Sequence, residues 1–140
     1  MLITRRAEFS ASHVCAVPEW SAEQNRQVFG PAANPHGHGH NYALEVTLEG
    51  EPNPRTGMIF DLKALKDIVH HQVIEPLDHR HLNREVKPFD RIVPTVENVA
   101  IEIWKRLEPH FPPGGPAKLS NVRLYETEDL FVDYAGGGLQ

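Results

Sequence analysis

The segment NPHGHGHNY, residues 34–42, places histidines at the alternate positions His36, His38 and His40. Side chains two residues apart on a β-strand point to the same face, roughly 6.5–7 Å apart along the strand. One such pair can therefore hold a metal ion, and a third imidazole from a neighbouring strand would complete the three-histidine pattern of a catalytic zinc site. The spacing alone does not choose between His36 with His38 and His38 with His40.

The third imidazole is expected from His13, which ends the first apolar strand with the same parity as Phe9 and Ala11. Cys15, two residues further on, would face the same way if the strand continued. Three imidazoles also accept other divalent metals, so zinc is an interpretation of the ligand set. The alternative is that these are ordinary loop histidines, solvated or hydrogen-bonded to the backbone.

Two further groups are candidates for acid–base or binding roles. Asp78 precedes His79 in LDHRHLN, residues 77–83, and a carboxylate beside an imidazole can orient a proton carrier. Glu126 follows Leu124 on an apolar strand face, where an ionised carboxylate needs a hydrogen-bonding partner. We expect Glu126 to anchor a ligand that carries adjacent N–H donors. The alternatives are an ordinary surface Asp–His pair and a glutamate at the solvent end of its strand.

The elements that must position these residues follow from hydrophobic periodicity and capping signals. The sequence predicts strands at 2–14, 41–49, 58–60, 118–126 and 130–135, helices at 21–29, 61–75 and 95–107, and a long irregular loop at 76–94. The short helix at 21–29 lies inside a long connection. The main order is β-β-α-α-β-β, which predicts an α+β fold with an antiparallel sheet and two helices on one face.

Composition sets the broad class. A chain of 140 residues fits one domain, and its net charge of −5 argues against a general nucleic-acid binder. No apolar run is long enough for a signal peptide or a membrane span, so we expect a cytoplasmic protein. The single cysteine, Cys15, excludes an internal disulfide.

Six segments occur in an order that resembles a known family: FSASH (9–13), NPHGHGHNY (34–42), TGMIFDLKALK (56–66), PLDHRHLN (76–83), TVENVA (95–100) and YETED (125–129). Together they resemble the 6-pyruvoyl-tetrahydropterin synthase family, which includes 6-carboxytetrahydropterin synthase. The resemblance implies a single T-fold domain over residues 1–140. It also implies a homohexamer, built as a dimer of trimers, with active sites between subunits.

The resemblance also implies roles for individual residues. The zinc ligands are His13, His38 and His40, which leaves His36 without a ligand role. The pterin anchor is Glu126, helped by Thr95 and Glu97, and the proton relay is Asp78 with His79. The implied substrate is 7,8-dihydroneopterin triphosphate. A zinc-dependent lyase of this family converts it either to 6-pyruvoyl-tetrahydropterin or, on the route to deazaguanine nucleosides such as queuosine, to 6-carboxy-5,6,7,8-tetrahydropterin.

One departure from the family pattern concerns the catalytic cysteine, whose position is occupied by Ala32. Three explanations are open: Cys15 serves instead, another group such as His79 suffices and the product differs, or the chain binds pterin with altered or no activity. A metal-binding cupin is a weaker alternative. It would need Glu45 beside His40, whereas the two have opposite parity, and two long helices do not suit a jelly roll.

Overall fold

The computed structural model describes residues 1–137, so the last three residues of the predicted domain, 138–140, lie outside the described part. In chain order the elements are β1 (Leu2–His13), α1 (Ala22–Phe29), β2 (His38–Gly50), α2 (Leu62–Val69), α3 (Glu75–Leu77), β3 (Arg80–His81), α4 (Leu82–Glu85), α5 (Val96–Leu107), β4 (Ala117–Thr127) and β5 (Leu130–Tyr134). A π-helical turn, His70–Ile74, joins α2 to α3, and 3-10 turns occupy Gly30–Ala33 and Glu108–His110.

The five strands form one sheet in the order β3-β1-β2-β4-β5. The four long strands pair antiparallel, as predicted, and their alternation sends one set of side chains to a single apolar face. Leu44 and Leu124 on that face are fully buried, and Leu65 of α2 and Ile103 of α5 pack into the same core. Both long helices therefore cover one face of the sheet, as predicted.

The opposite face of the sheet carries polar side chains. Arg6 pairs with Glu45 at 3.1 Å, and Arg123 pairs with Asp133 at 2.8 Å. The Arg6 guanidinium also lies 5.6 Å from the centroid of the Tyr125 ring. No helix of residues 1–137 covers this face, and none is long and apolar enough to cross a membrane.

Two predictions about the connections were wrong. Residues 58–60 do not form a strand, and the chain bends at Ile59 and Phe60. Ile59 is buried in the core, but both edges of β2 are already paired with β1 and β4, which leaves this apolar run no edge to join there. The region 76–94 is not wholly irregular, because β3 pairs parallel with Ala11 and Ser12 of β1 and makes the sheet mixed.

Candidate metal centre and active site

The pairing of β1 with β2 brings three predicted ligands together. His13 is the register partner of His38, and His40 is the partner of Ala11. The Nε2 atoms of His13 and His38 lie 3.0 Å apart, and one ring nitrogen from each of the three histidines falls within 4.8 Å of the others. His36 lies in the exposed turn before β2. The cluster therefore uses His38 and His40, the pair that the spacing alone left undecided.

The orientation of His13 is fixed by a backbone carbonyl. Nδ1–H of His13 donates to the carbonyl oxygen of Pro94 over 2.7 Å. A carbonyl only accepts, so the proton of the neutral ring resides on Nδ1 and the Nε2 lone pair faces the cluster. Burial lowers the pKa of His13 to about 4, which keeps this imidazole neutral and able to bind a metal at neutral pH.

The polar atoms of this cluster fit a metal ion. Within residues 1–137, Nε2 of His40 is buried without a hydrogen-bond partner. An unpaired buried polar atom is costly, so this nitrogen indicates a missing partner. Three imidazoles whose ring nitrogens converge are a donor set that zinc accepts.

Glu126 lies beside this cluster. Its Oε1 atom is 3.9 Å from Nε2 of His40, and both side chains are only 18% exposed. Glu126 is therefore half-buried beside a predicted metal ligand, and its role as a pterin anchor stays a prediction. Burial lowers the pKa of His40, and the neighbouring charge of Glu126 opposes that effect.

Cys15 is buried next to His13, on the Nδ1 side of its ring. Its Sγ atom lies 4.0 Å from Nδ1 of His13, and its backbone N–H donates to the carbonyl oxygen of Ala32 over 2.9 Å. Burial raises the pKa of the Cys15 thiol to about 11, and the negative charges of Glu126 and Glu97 add to the effect. The carboxylate of Glu126, the predicted pterin anchor, is therefore close enough to the Cys15 thiol to disfavour the thiolate.

The segment between His13 and Cys15 is held by a side chain that sequence reasoning did not single out. Asn83 accepts the Val14 N–H over 2.8 Å through Oδ1, and it donates to the Val14 carbonyl over 2.9 Å through Nδ2. Asn83 ends the segment LDHRHLN. Its contact with Val14 was not predicted, because no local sequence pattern indicates a partner so distant along the chain.

Asp78 and His79 lie at the edge of the sheet, beside Ser10 of β1. Asp78 Oδ1 accepts the Ser10 N–H over 2.9 Å and lies 3.0 Å from Nδ1 of His79. The Ser10 hydrogen bond is the main reason that the pKa of Asp78 lies below its usual value. The His79 side chain is 82% exposed, and within residues 1–137 no hydrogen bond or ion pair joins Asp78 or His79 to the three histidines.

Two clefts nevertheless connect these groups with the metal cluster. A cleft of about 830 Å³ is lined by Asp78, His40 and Glu126, together with Arg6 and Tyr125 of the open sheet face. A smaller cleft of about 460 Å³ runs between His79 and His40. Both clefts therefore run from His40 to the sheet edge that carries Asp78 and His79.

Thr95 and Glu97 lie where α5 begins. The Thr95 hydroxyl accepts the Asn98 N–H over 3.3 Å and so caps the helix. Glu97 is exposed in the first turn. Thr95 also directly follows Pro94, whose carbonyl orients His13. The predicted part of both residues in pterin binding stays a prediction.

Comparison with known proteins places this architecture in a family. Residues 2–137 match the family model described as 6-pyruvoyl tetrahydropterin synthase. A human 6-pyruvoyl tetrahydrobiopterin synthase is 42% identical over 96% of this chain and 90% of its own length. The structure of the Caenorhabditis elegans 6-pyruvoyl tetrahydropterin synthase superposes with a TM-score of 0.91 at 36% identity, covering 98% of this chain and 96% of that one.

Relatives named for other reactions match less closely. A dihydroneopterin monophosphate aldolase from Pyrococcus furiosus is 34% identical, covering 94% of each chain. A 6-carboxy-5,6,7,8-tetrahydropterin synthase from Rickettsia felis is 28% identical, covering 93% of this chain and 96% of its own. These matches confirm the predicted T-fold and the predicted family, and the chain belongs to the 6-pyruvoyl tetrahydropterin synthase family.

Proposed function

We propose that the chain is a metal-dependent lyase that removes triphosphate from 7,8-dihydroneopterin triphosphate and forms 6-pyruvoyl-tetrahydropterin. The observation that carries this proposal is the convergence of His13, His38 and His40, with Glu126 at 3.9 Å from His40 and Cys15 buried alongside. The more similar relatives, named as pyruvoyl enzymes, favour this product over the carboxy product.

The three histidines would hold the metal through their converging ring nitrogens. A bound zinc ion supplies Lewis-acid polarisation of the hydroxyls on the substrate side chain. The Pro94 carbonyl contributes indirectly, because it holds His13 in the tautomer whose Nε2 faces the cluster.

Glu126 would bind the pterin ring. A carboxylate offers two acceptor oxygens, which match two adjacent N–H donors on one edge of the ring. Its position beside His40 would then set the ring next to the metal ligands, with the side chain of the substrate directed at the cluster. In our proposal Thr95 and Glu97 line the same end of the pocket.

Cys15 would act as the base in place of the cysteine that the family carries at position 32. Its backbone is hydrogen-bonded to Ala32, and its thiol lies 4.0 Å from Nδ1 of the proposed ligand His13. Burial and neighbouring carboxylates hold the pKa of the thiol high, whereas a cation bound nearby favours the thiolate. The base would remove a proton from the substrate side chain, after which triphosphate leaves and the side chain and ring exchange redox level internally.

Asp78 and His79 would relay protons, and we propose that they serve a site shared with a neighbouring subunit of a homohexamer. The exposure of His79 and the open polar face of the sheet support this arrangement. A second subunit seated there would close a cleft of about 830 Å³ that one chain leaves open.

A second candidate function is cleavage of the pterin side chain to a shorter product, as a carboxy or aldolase-type relative would catalyse. Ala32 at the usual cysteine position is the observation that favours it, because moving the base can change which bond breaks. A third possibility, also based on Ala32, is a protein that binds pterin without turning it over.

The test is to incubate the zinc-loaded protein with 7,8-dihydroneopterin triphosphate and to identify the products by mass spectrometry. We expect a tetrahydropterin that has lost triphosphate and retains its three-carbon side chain. A shortened side chain would replace our proposal with the second candidate, and unchanged bound substrate would refute lyase activity. The His38→Ala variant, which lacks a ligand, is the control for metal dependence.

A further inference from the structure

A second cluster of metal-ligating side chains lies on the outer surface, away from the site described above. It consists of His70, His71 and Glu75, and one ligand atom from each lies within 4.8 Å of the others. Nδ1 of His71 is 3.2 Å from Oε2 of Glu75, and the two imidazole centroids are 5.3 Å apart. All three residues are exposed, so their side chains are free to rotate onto a common ion.

The backbone explains why these three residues converge. They belong to the π-helical turn His70–Ile74 and the residue after it, where the Glu75 N–H donates to the His70 carbonyl. In an α-helix, with 3.6 residues per turn, residues five apart point in clearly different directions. A π-helical turn brings residue i+5 back above residue i, and such turns occur often at functional sites. Glu75 therefore stays close to His71 and to His70 at once.

The donor set indicates the class of ion. Two imidazoles and one carboxylate suit divalent transition metals such as zinc, nickel or copper, and they do not suit the all-oxygen preference of calcium or magnesium. We propose that His70, His71 and Glu75 form a second, surface site for a divalent transition metal ion, with water completing the coordination.

The affinity of this surface site should be lower than that of the buried cluster. Ordering three exposed side chains costs conformational entropy that the buried ligands have already lost in folding. Arg5 and Lys66 also line a small cavity with His70, and their positive charge opposes a cation. Without a metal, the His71–Glu75 contact is an exposed pair four residues apart, which contributes little to stability.

The experiment is a Zn²⁺ titration of the untagged full-length protein, in which binding is measured by isothermal titration calorimetry. We expect two events, a tight one at the buried histidines and a weaker one, each with one ion per chain. Removal of a ligand in His71→Ala or Glu75→Gln should weaken the second event by roughly tenfold or more, since even outer-shell partners of a metal typically contribute that much. The first event should be unchanged.

The controls separate this site from the buried one. His110→Ala removes another exposed histidine and should leave both events intact, whereas His38→Ala should remove only the tight event. A single event in the wild type, or a second event that persists in both His71→Ala and Glu75→Gln, would overturn the proposal. Circular dichroism of each variant establishes that it is folded, and neither result depends on whether the protein turns over a pterin.

Discussion

The backbone N–H of Cys15 donates to the carbonyl oxygen of Ala32 over 2.9 Å, which joins the segment after β1 to the 3-10 turn Gly30–Ala33. The family resemblance implies a catalytic cysteine at the position of Ala32, and the only cysteine of this chain is the residue hydrogen-bonded to Ala32. In our proposal the thiol of Cys15 takes the role implied for position 32.

This relationship predicts that the two positions are interchangeable for catalysis. Cys15→Ala should lower kcat by about 10²- to 10⁴-fold, the usual contribution of a general base, while zinc content stays the same. Adding Ala32→Cys to that variant should restore much of the rate. Steady-state kinetics with metal analysis checks both effects, and undiminished turnover in Cys15→Ala would exclude the thiol as the base.

The exposed position of His79 leads to a prediction about subunit sharing. His38→Ala and His79→Ala should each be inactive. Oligomers of the two co-expressed variants should regain roughly a quarter of the wild-type rate. Each shared site needs His38 from one chain and His79 from its neighbour, and each of these residues is present in half of the chains. Activity of the purified mixed oligomer measures this recovery. No recovery from mixed oligomers would show that one chain supplies both groups.

The backbone strain at His79 and the proposed proton relay by its imidazole can be tested separately by substitution. Its φ is +62°, a left-handed conformation that glycine adopts without steric cost. His79→Gly should therefore be as stable as the wild type or more stable, by up to about 1 kcal/mol, whereas His79→Ala keeps the strain. Both variants should lose turnover. Thermal unfolding and kinetics of the pair check this, and an active His79→Gly protein would remove the imidazole from the proposed relay.

The lowered pKa of Asp78 predicts that the free energy of unfolding depends on this carboxylate in the acid range. Its pKa is below 3.8 in the folded protein, chiefly because it accepts the Ser10 N–H. The carboxylate therefore contributes fully above pH 3.8, and the contribution is lost as the pH falls through the lower, folded value. Asp78→Ala should be less stable than the wild type near pH 6, by under about 1 kcal/mol for a side chain that is 35% exposed. This difference in stability should shrink below pH 3.8.

Thermal unfolding at several pH values measures the Asp78 effect. Glu19→Gln, at an exposed position outside the helices and strands, is the control and should show no such narrowing. A difference between wild type and Asp78→Ala that stays constant through the acid range would contradict the assignment.

The helix-capping role of Thr95 and its proposed role in pterin binding can be distinguished by two substitutions. Loss of the cap in Thr95→Ala should cost about 1 kcal/mol of unfolding free energy, and Thr95→Ser should retain most of it. Urea unfolding measures both. If the hydroxyl also binds pterin, KM should rise in Thr95→Ala and not in Thr95→Ser. Equal stability of all three proteins would mean that the cap is unimportant.

Much of this site follows from strand periodicity. Alternation put His36, His38 and His40 on one face, and the family resemblance selected the pair that the structure brings together with His13. Parity with Leu124 placed Glu126 on an apolar strand face, and the structure adds its position beside His40. The helix caps at Ser21, Asp61 and Thr95 were also readable, because each has a side chain suited to an unsatisfied helix N–H. Regular elements repeat their signal over many residues, which makes them predictable.

The unpredicted parts depend on contacts without a repeating signal. Every residue has a carbonyl, so nothing marked that of Pro94 as the partner of His13. The left-handed conformation of His79 is unusual for a residue with a Cβ, and it directly precedes β3, the strand that pairs with β1. The π-helical turn likewise breaks the regular period that predicted a continuous helix over 61–75.

The hydrogen bond from His13 to Pro94 also orders events during synthesis of the chain. All three histidines of the buried cluster are made within the first 40 residues, but the carbonyl that selects the tautomer of His13 is added only at residue 94. The β1–β2 pair can gather the imidazoles while the rest of the chain is still being translated. A correctly oriented ligand set exists only after the intervening loop has closed, which is a slow, non-local step. Metal binding at the proposed site would thus belong to the late stage of folding, when both halves of the chain are present.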